Sequence, residues 1–173
     1  LQQLGGVARS RERLATFLNP YHDPRGAGYQ VIQSTIAIGS GQLFGRGLGR
    51  GTQSQLRFLP ERHTDFIFAS LVEELGLVGG IFVILLYTTM IFCLFLSMLR
   101  TTDRGSKLTI AATLGWLYFQ ATVNIAMNMA LAPVTGITLP LLSSGGSSLV
   151  SSVMMLALAA SASREMQYNT PRA

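Results

Sequence analysis

Between Leu75 and Leu99 the chain runs for 25 residues without a charged side chain. As an α-helix this stretch is roughly 37 Å long, enough to cross a hydrocarbon core of about 30 Å with some tilt. Backbone amides in lipid must find partners within their own segment, so such a run admits few structures other than a membrane-spanning helix. A second uncharged run of 25 residues, Leu108 to Ala132, ends where Pro133 and Gly136 favour a turn. A third, 141–163, is richer in Ser and Gly and stops at Arg164-Glu165. With 49% hydrophobic and 12% charged residues, the 173-residue chain is too apolar for an ordinary soluble domain of its size. The pattern predicts an all-α membrane protein, a polytopic helical bundle.

Charge orients these segments. The connection 100–107 is short and carries Arg100, Arg104 and Lys107 against Asp103, which places it in the cytoplasm by the positive-inside rule. Alternation then gives an extracytoplasmic loop over 1–65, a transmembrane helix over 66–99 and the cytoplasmic loop 100–107. A transmembrane helix over 108–132, an extracytoplasmic loop over 133–140, a transmembrane helix over 141–163 and a cytoplasmic tail over 164–173 follow. Residues 1–65 hold eight of the thirteen Lys and Arg residues, but long loops translocate largely regardless of charge. This basic balance suits anionic partners such as lipid head groups or a pyrophosphate. No nucleic-acid module is visible. The sole cysteine, Cys93, lies in an apolar run, which excludes an internal disulfide and a thiolate metal cluster and suits a packing role. The chain starts at Leu1 with neither an initiator Met nor a signal pattern and is expected to be a piece of a longer protein.

Within the first segment, Leu18-Asn19-Pro20-Tyr21-His22-Asp23-Pro24 is turn chemistry. Tyr29 to Ile38 has near-helical apolar spacing, with Tyr29, Ile32 and Ile36 on one side, and predicts a short helix on the membrane surface. The glycine-rich stretch Gly45 to Gly51 matches neither a dinucleotide fingerprint nor a P-loop. Its Arg46 and Arg50 suit either solvent or phosphate oxygens held beside free backbone amides. His22 and His63 are isolated and form no zinc motif; His63 reads as a local hydrogen-bonding partner.

Asp65 stands directly before the first span, at a membrane surface. Spacing alone fits a helix N-cap; a carboxylate there is also placed to act on a lipid-held substrate. Glu73 and Glu74 fall in the first turns of the span, where an ionisable group is costly unless it reaches water or a partner. Glu73 is rotated some 80° from Asp65 and is the better candidate for a shared groove. Gln120, Asn124 and Asn128 recur every four residues and predict a polar stripe that clasps a neighbouring helix. Ser143, Ser147 and Ser151 suggest a small-residue packing face.

Several motifs then occur in one order: Leu18-Asn19-Pro20, Gly26-Ala27-Gly28-Tyr29-Gln30, Ile36 to Gly41, Gly51-Thr52-Gln53-Ser54-Gln55-Leu56, Leu59-Pro60-Glu61-Arg62-His63-Thr64-Asp65-Phe66-Ile67-Phe68, Glu73-Glu74-Leu75-Gly76 and Leu139 to Ser148. Together they resemble the shape, elongation, division and sporulation (SEDS) glycosyltransferases, the group that includes RodA and FtsW. The resemblance implies a ten-helix membrane protein of which this chain is the large outer loop and helices eight to ten. It implies polymerisation of lipid II into peptidoglycan for cell elongation and shape, with inversion at the anomeric carbon and undecaprenyl pyrophosphate as leaving group. The catalytic residue is then Asp65. Substrate-binding residues are expected among Arg62, His63, Glu73, Gln53, Arg46, Arg50 and Arg57, with Arg62 first. The leaving-group charge is to be met by arginines or by a divalent cation, Mg2+ or Mn2+. The implied partner is a class B penicillin-binding protein, a transpeptidase, and the implied location is the bacterial inner membrane. The Gln53 and Arg62 motifs are closer to the RodA branch; Ser144 stands where many members have Tyr. A transporter of lipid-linked precursors and a noncatalytic scaffold are the competing functions.

Overall fold

The computed structural model describes residues 27–47 and 64–168. Four helices run through them: α1, Ala27–Gly41; α2, Ile67–Arg100; α3, Arg104–Asn128; and α4, Gly146–Tyr168. Three are long and apolar enough to cross a membrane, at Ile67–Arg100, Arg104–Asn128 and Gly146–Arg164. The turn chemistry at 18–24 lies outside the described residues.

Helix boundaries move for local reasons. α3 begins at Arg104 rather than Leu108 because Asp103, in extended conformation, accepts the Ser106 N–H at 2.7 Å and caps the helix. Hydrogen bonds from the Ser106 amide and hydroxyl hold the Asp103 carboxyl below its ordinary value. α3 ends at Asn128 rather than Ala132, and Ala130, in the left-handed region at φ 57°, takes the chain out of the helix. α4 starts at Gly146, five residues after the expected 141, following a turn in which Leu141 has φ 66°.

The larger departure is inside α2, which is two helical limbs, 67–75 and 77–100, joined at Gly76 with φ 75° and ψ −171°. In an unbroken helix Phe68 and Gly80 would stand about 18 Å apart along the axis. Here a Cβ on Gly80 would lie 3.6 Å from the Phe68 ring and 2.9 Å from Val72 Cγ2. The short limb therefore turns back toward the long one. Phe68 and Val72 join Val83 and Tyr87 of the long limb, Leu117 and Ala121 of α3, and Leu139 in one buried cluster. The expected continuous span over 66–99 is corrected to a span preceded by a folded-back limb.

Breaking a helix exposes carbonyls on one side and amides on the other. Residues 42–47 answer both. Leu77 N–H donates to Gln42 O at 2.9 Å and Val78 N–H to Leu43 O at 3.3 Å. In return, Arg46 N–H donates to Glu73 O at 3.0 Å and Gly47 N–H to Glu74 O at 3.1 Å. Such close approach needs glycine: a Cβ on Gly76 would be 2.3 Å from Gly45 N, and one on Gly45 would be 2.1 Å from Glu74 O.

α1 lies along the short limb. Its buried positions are Gly28, Val31, Ser34, Ala37 and Gly41, while Ile36 is exposed and Tyr29 and Ile32 are only half-buried. The expected apolar face of Tyr29, Ile32 and Ile36 is thus not the buried one. Small residues won because they let α1 approach the backbone of the short limb: a Cβ on Gly41 would lie 2.1 Å from Val72 O.

Candidate functional site

The short limb of α2 begins at Ile67 with Phe66 at the cap position and no side-chain cap bond. Asp65 precedes the cap, so the N-cap expectation for it is corrected. Capping comes from another helix. Asn128, the last residue of α3, accepts the Ala69 N–H on Oδ1 at 3.1 Å and donates through Nδ2 to the Asp65 carbonyl at 3.0 Å. One turn earlier, Asn124 Nδ2 donates to the same carbonyl at 3.0 Å and to Ile137 O at 2.7 Å. Asn128 Nδ2 is also 2.8 Å from Asn124 O. Both asparagines are fully buried. The four-residue spacing read from the sequence is what lets two amides converge on one carbonyl. Gln120, the third member of the stripe, takes no part: its buried Oε1 finds no partner among the described residues.

A second clasp holds the preceding peptide. Ser143 Oγ donates to Thr64 O at 2.6 Å and accepts the Leu139 N–H at 2.8 Å. Ser143 lies in the turn before α4 and not on that helix, so it leaves the predicted face of Ser143, Ser147 and Ser151; the other two are exposed. The Tyr87 hydroxyl donates to Pro140 O and ties the same turn to the long limb. The Ser143 and Tyr87 contacts join residues 79 and 53 positions apart, and no local pattern announced them.

With its peptide fixed from two sides, Asp65 is half-buried. Its Oδ2 lies 3.5 Å from where a Cβ on Gly136 would stand, in the loop between α3 and α4. The arrangement orients the Asp65 peptide, and the carboxylate lies beside the loop between α3 and α4. A carboxylate there can accept a proton or a hydrogen bond from a group entering beside Gly136.

The remaining candidates separate. Glu73 is fully buried at the far end of the short limb, about 12 Å from Asp65 along the axis, where its carbonyl receives Arg46 N–H. Arg46 is exposed, and its Nε donates to Ser40 O at 3.3 Å, near the C-terminal end of α1. Gln53, Arg50, Arg57, Arg62 and His63 lie outside the described residues. Among the described residues no group of three His, Cys, Asp or Glu side chains could hold a metal ion. Those residues make no preformed carboxylate cage for Mg2+ or Mn2+.

Three helices long and apolar enough to cross a membrane, with two buried side-chain amides gathered on the Asp65 carbonyl, define a multi-pass membrane protein. Residues 6–168 match the family model of the FtsW, RodA and SpoVE cell cycle proteins, and the chain belongs to that family. It is 49% identical over 140 residues to the peptidoglycan glycosyltransferase MrdB of Escherichia coli K12, covering 81% of this chain and 38% of that protein. It is 50% identical over 137 residues to the peptidoglycan glycosyltransferase RodA of Treponema pallidum, covering 79% and 32%. Stage V sporulation protein E of Bacillus subtilis is 41% identical over 157 residues, covering 91% and 43%. Among solved structures, a chain of a peptidoglycan synthase complex that coordinates polymerization and crosslinking superposes with TM-score 0.71 at 38% identity, covering 92% of this chain and 43% of that one. The rod shape determining protein RodA of Thermus thermophilus, as an aspartate-to-alanine mutant, gives 0.58 at 34%, covering 76% and 39%. The chain thus spans about two fifths or less of the length of these curated relatives.

Proposed function

We propose that the protein to which this chain belongs is a peptidoglycan glycosyltransferase of the bacterial inner membrane that polymerises lipid II for cell elongation and shape. The observation that carries this reading is the clasp on Asp65. Asn128 Oδ1 takes the Ala69 amide of the first turn, and Asn124 and Asn128 fix the Asp65 peptide. An aspartate so held is suited to catalysis, where orientation within a fraction of an ångström matters.

In the proposed reaction the 4-hydroxyl oxygen of an incoming lipid II attacks the anomeric carbon of the lipid-linked glycan. Asp65 accepts the hydroxyl proton, the bond from the anomeric carbon to the pyrophosphate oxygen breaks, and undecaprenyl pyrophosphate leaves with the electron pair. Attack from the face opposite the leaving group inverts the centre to a β-1,4 linkage. A positioned base of this kind contributes about 10²- to 10⁴-fold. The pyrophosphate charge is assigned to Arg46, Arg50, Arg57 and Arg62, with Arg62 first because it belongs to the same motif as Asp65. Gln53 and His63 are assigned to substrate contacts, and a class B penicillin-binding protein to the exposed side of α2 and α3. The names of the relatives support the polymerase reading, and the synthase-complex neighbour supports a partner in crosslinking.

The test is polymerisation of purified lipid II by the full-length protein and its Asp65→Asn variant, with folding checked by thermal unfolding. Loss of product with unchanged unfolding is expected. A folded variant that still polymerises, or that complements growth, removes Asp65 from catalysis and favours transport or scaffolding.

A further inference from the structure

The loop that fills the break in α2 carries two exposed apolar residues. Leu43 is 59% exposed and Phe44 83% exposed. Neither is a loose tip, since backbone bonds on both sides of them, from Val78 to Leu43 O and from Arg46 to Glu73 O, fix the turn to the two limbs. The register of that attachment sets a height. Gly76 stands 24 residues from Arg100, so the long limb rises about 36 Å between them, or about 34 Å at a tilt of about 20°. Arg100 belongs at the cytoplasmic edge of a hydrocarbon core about 30 Å thick. The break, and with it Leu43 and Phe44, then falls a few ångströms beyond the opposite edge, inside the headgroup layer.

The surface beside the loop is continuous with the span. Leu43 is bonded to Val78, which is 54% exposed, and one turn further along the limb Ile81 and Phe82 are 47% and 60% exposed. An aromatic residue at the interfacial level, above an apolar helix face and next to the exposed Arg46, has the composition that anchors proteins at headgroups.

We propose that Leu43 and Phe44 are an outer-leaflet anchor that inserts into the lipid interface beside the long limb and sets the height of the α2 break in the membrane. The ligand is the bilayer itself, at the boundary between headgroups and acyl chains. The inference rests on attachment and height and is independent of the chemistry assigned to Asp65.

Nitroxide labelling tests it. The full-length protein, freed of its other reactive cysteines, is labelled at Phe44→Cys and reconstituted in phosphatidylethanolamine–phosphatidylglycerol vesicles. Collisional relaxation by oxygen and by a water-soluble nickel chelate is then compared with labels at Phe82→Cys and Thr102→Cys. The oxygen-to-nickel ratio at 44 is expected to be several-fold above that at 102 and to approach that at 82. A ratio equal to that at 102 would put the tip in water. Low access to both reagents would mean that protein, including the rest of the chain, covers it. Either result overturns the proposal. A Leu43→Cys label repeats the measurement should the first variant fold poorly.

Discussion

Asn128→Ala removes the centre of the clasp, and the structure gives its cost. Three strong bonds go, Nδ2 to Asp65 O at 3.0 Å, Nδ2 to Asn124 O at 2.8 Å and Oδ1 from Ala69 N at 3.1 Å, with a longer fourth from Nδ2 to Asn124 Oδ1 at 3.3 Å. Side-chain hydrogen bonds between membrane helices average about 0.6 kcal/mol, which gives about 2 kcal/mol for the three. Ala69 is fully buried, and an amide left unmatched there costs about 1–3 kcal/mol in its own right. These figures overlap, since the Ala69 bond enters both, and a total of about 2–4 kcal/mol is expected. Asn128→Asp should cost more than Asn128→Ala: it keeps the acceptor for Ala69 but turns a carboxylate oxygen toward the Asp65 and Asn124 carbonyls in a fully buried site. Denaturant unfolding of the full-length protein in detergent measures both. Polymerisation assays should show a further loss, because a displacement of about 1 Å at a catalytic group can cost on the order of 10²-fold. Asn128→Ala within about 0.5 kcal/mol of wild type, the range of an ordinary surface change, would refute the clasp. So would Asn128→Asp proving the more stable of the two.

Gly76→Ala should destabilise by about 2–5 kcal/mol, combining backbone strain at φ 75° with a Cβ 2.3 Å from Gly45 N; an unfolding midpoint equal to wild type would mean that the loop is not seated in the break. Asp103 supplies a pH test. Its folded carboxyl titrates below the ordinary 3.8, so the stability it lends to α3 is full above that value and is lost as pH falls through the lower folded one. The protection of the Ser106 amide, measured against its intrinsic exchange rate at each pH, should therefore fall below about pH 4, and Asp103→Asn, which still caps, should abolish that dependence; the same acid response in the variant would dismiss the cap.

The membrane spans were legible because hydrophobic length is a local property: 25 uncharged residues say the same thing whatever surrounds them. The break at Gly76 was not, although Gly76, Gly79 and Gly80 crowd the spot. Glycine within an apolar run is compatible with a helix, and what makes a break affordable is a second segment able to pair with its freed amides and carbonyls. That segment, 42–47, is some thirty residues away and carries no periodic signal. The face of α1 was misread for a related reason. Hydrophobicity marks Tyr29, Ile32 and Ile36, but close approach to the backbone of the short limb selects Gly28, Ser34, Ala37 and Gly41. Asn124 and Asn128 were legible as a clasp by their spacing, but the object clasped was not, since sequence gave no means of knowing that α3 ends beside the start of α2.

That object changes how the central residue is understood. An aspartate before an apolar run has two roles open to it, and the structure separates them by moving one elsewhere. Asn128 Oδ1 takes the Ala69 amide, and the cap position itself belongs to Phe66. The Ala69 amide is therefore met from another helix, while the Asp65 main chain is held more tightly than initiation requires, by two buried amides on its own carbonyl and by Ser143 on the preceding peptide. Burying three polar side chains to fix one backbone position is costly in a membrane bundle unless that position must be exact. A carboxylate that only started a helix would tolerate a loose peptide; one that must meet a sugar hydroxyl would not. It follows that conservative changes to the clasp should damage activity in proportion to how far they free the Asp65 peptide, even where the carboxylate itself is untouched.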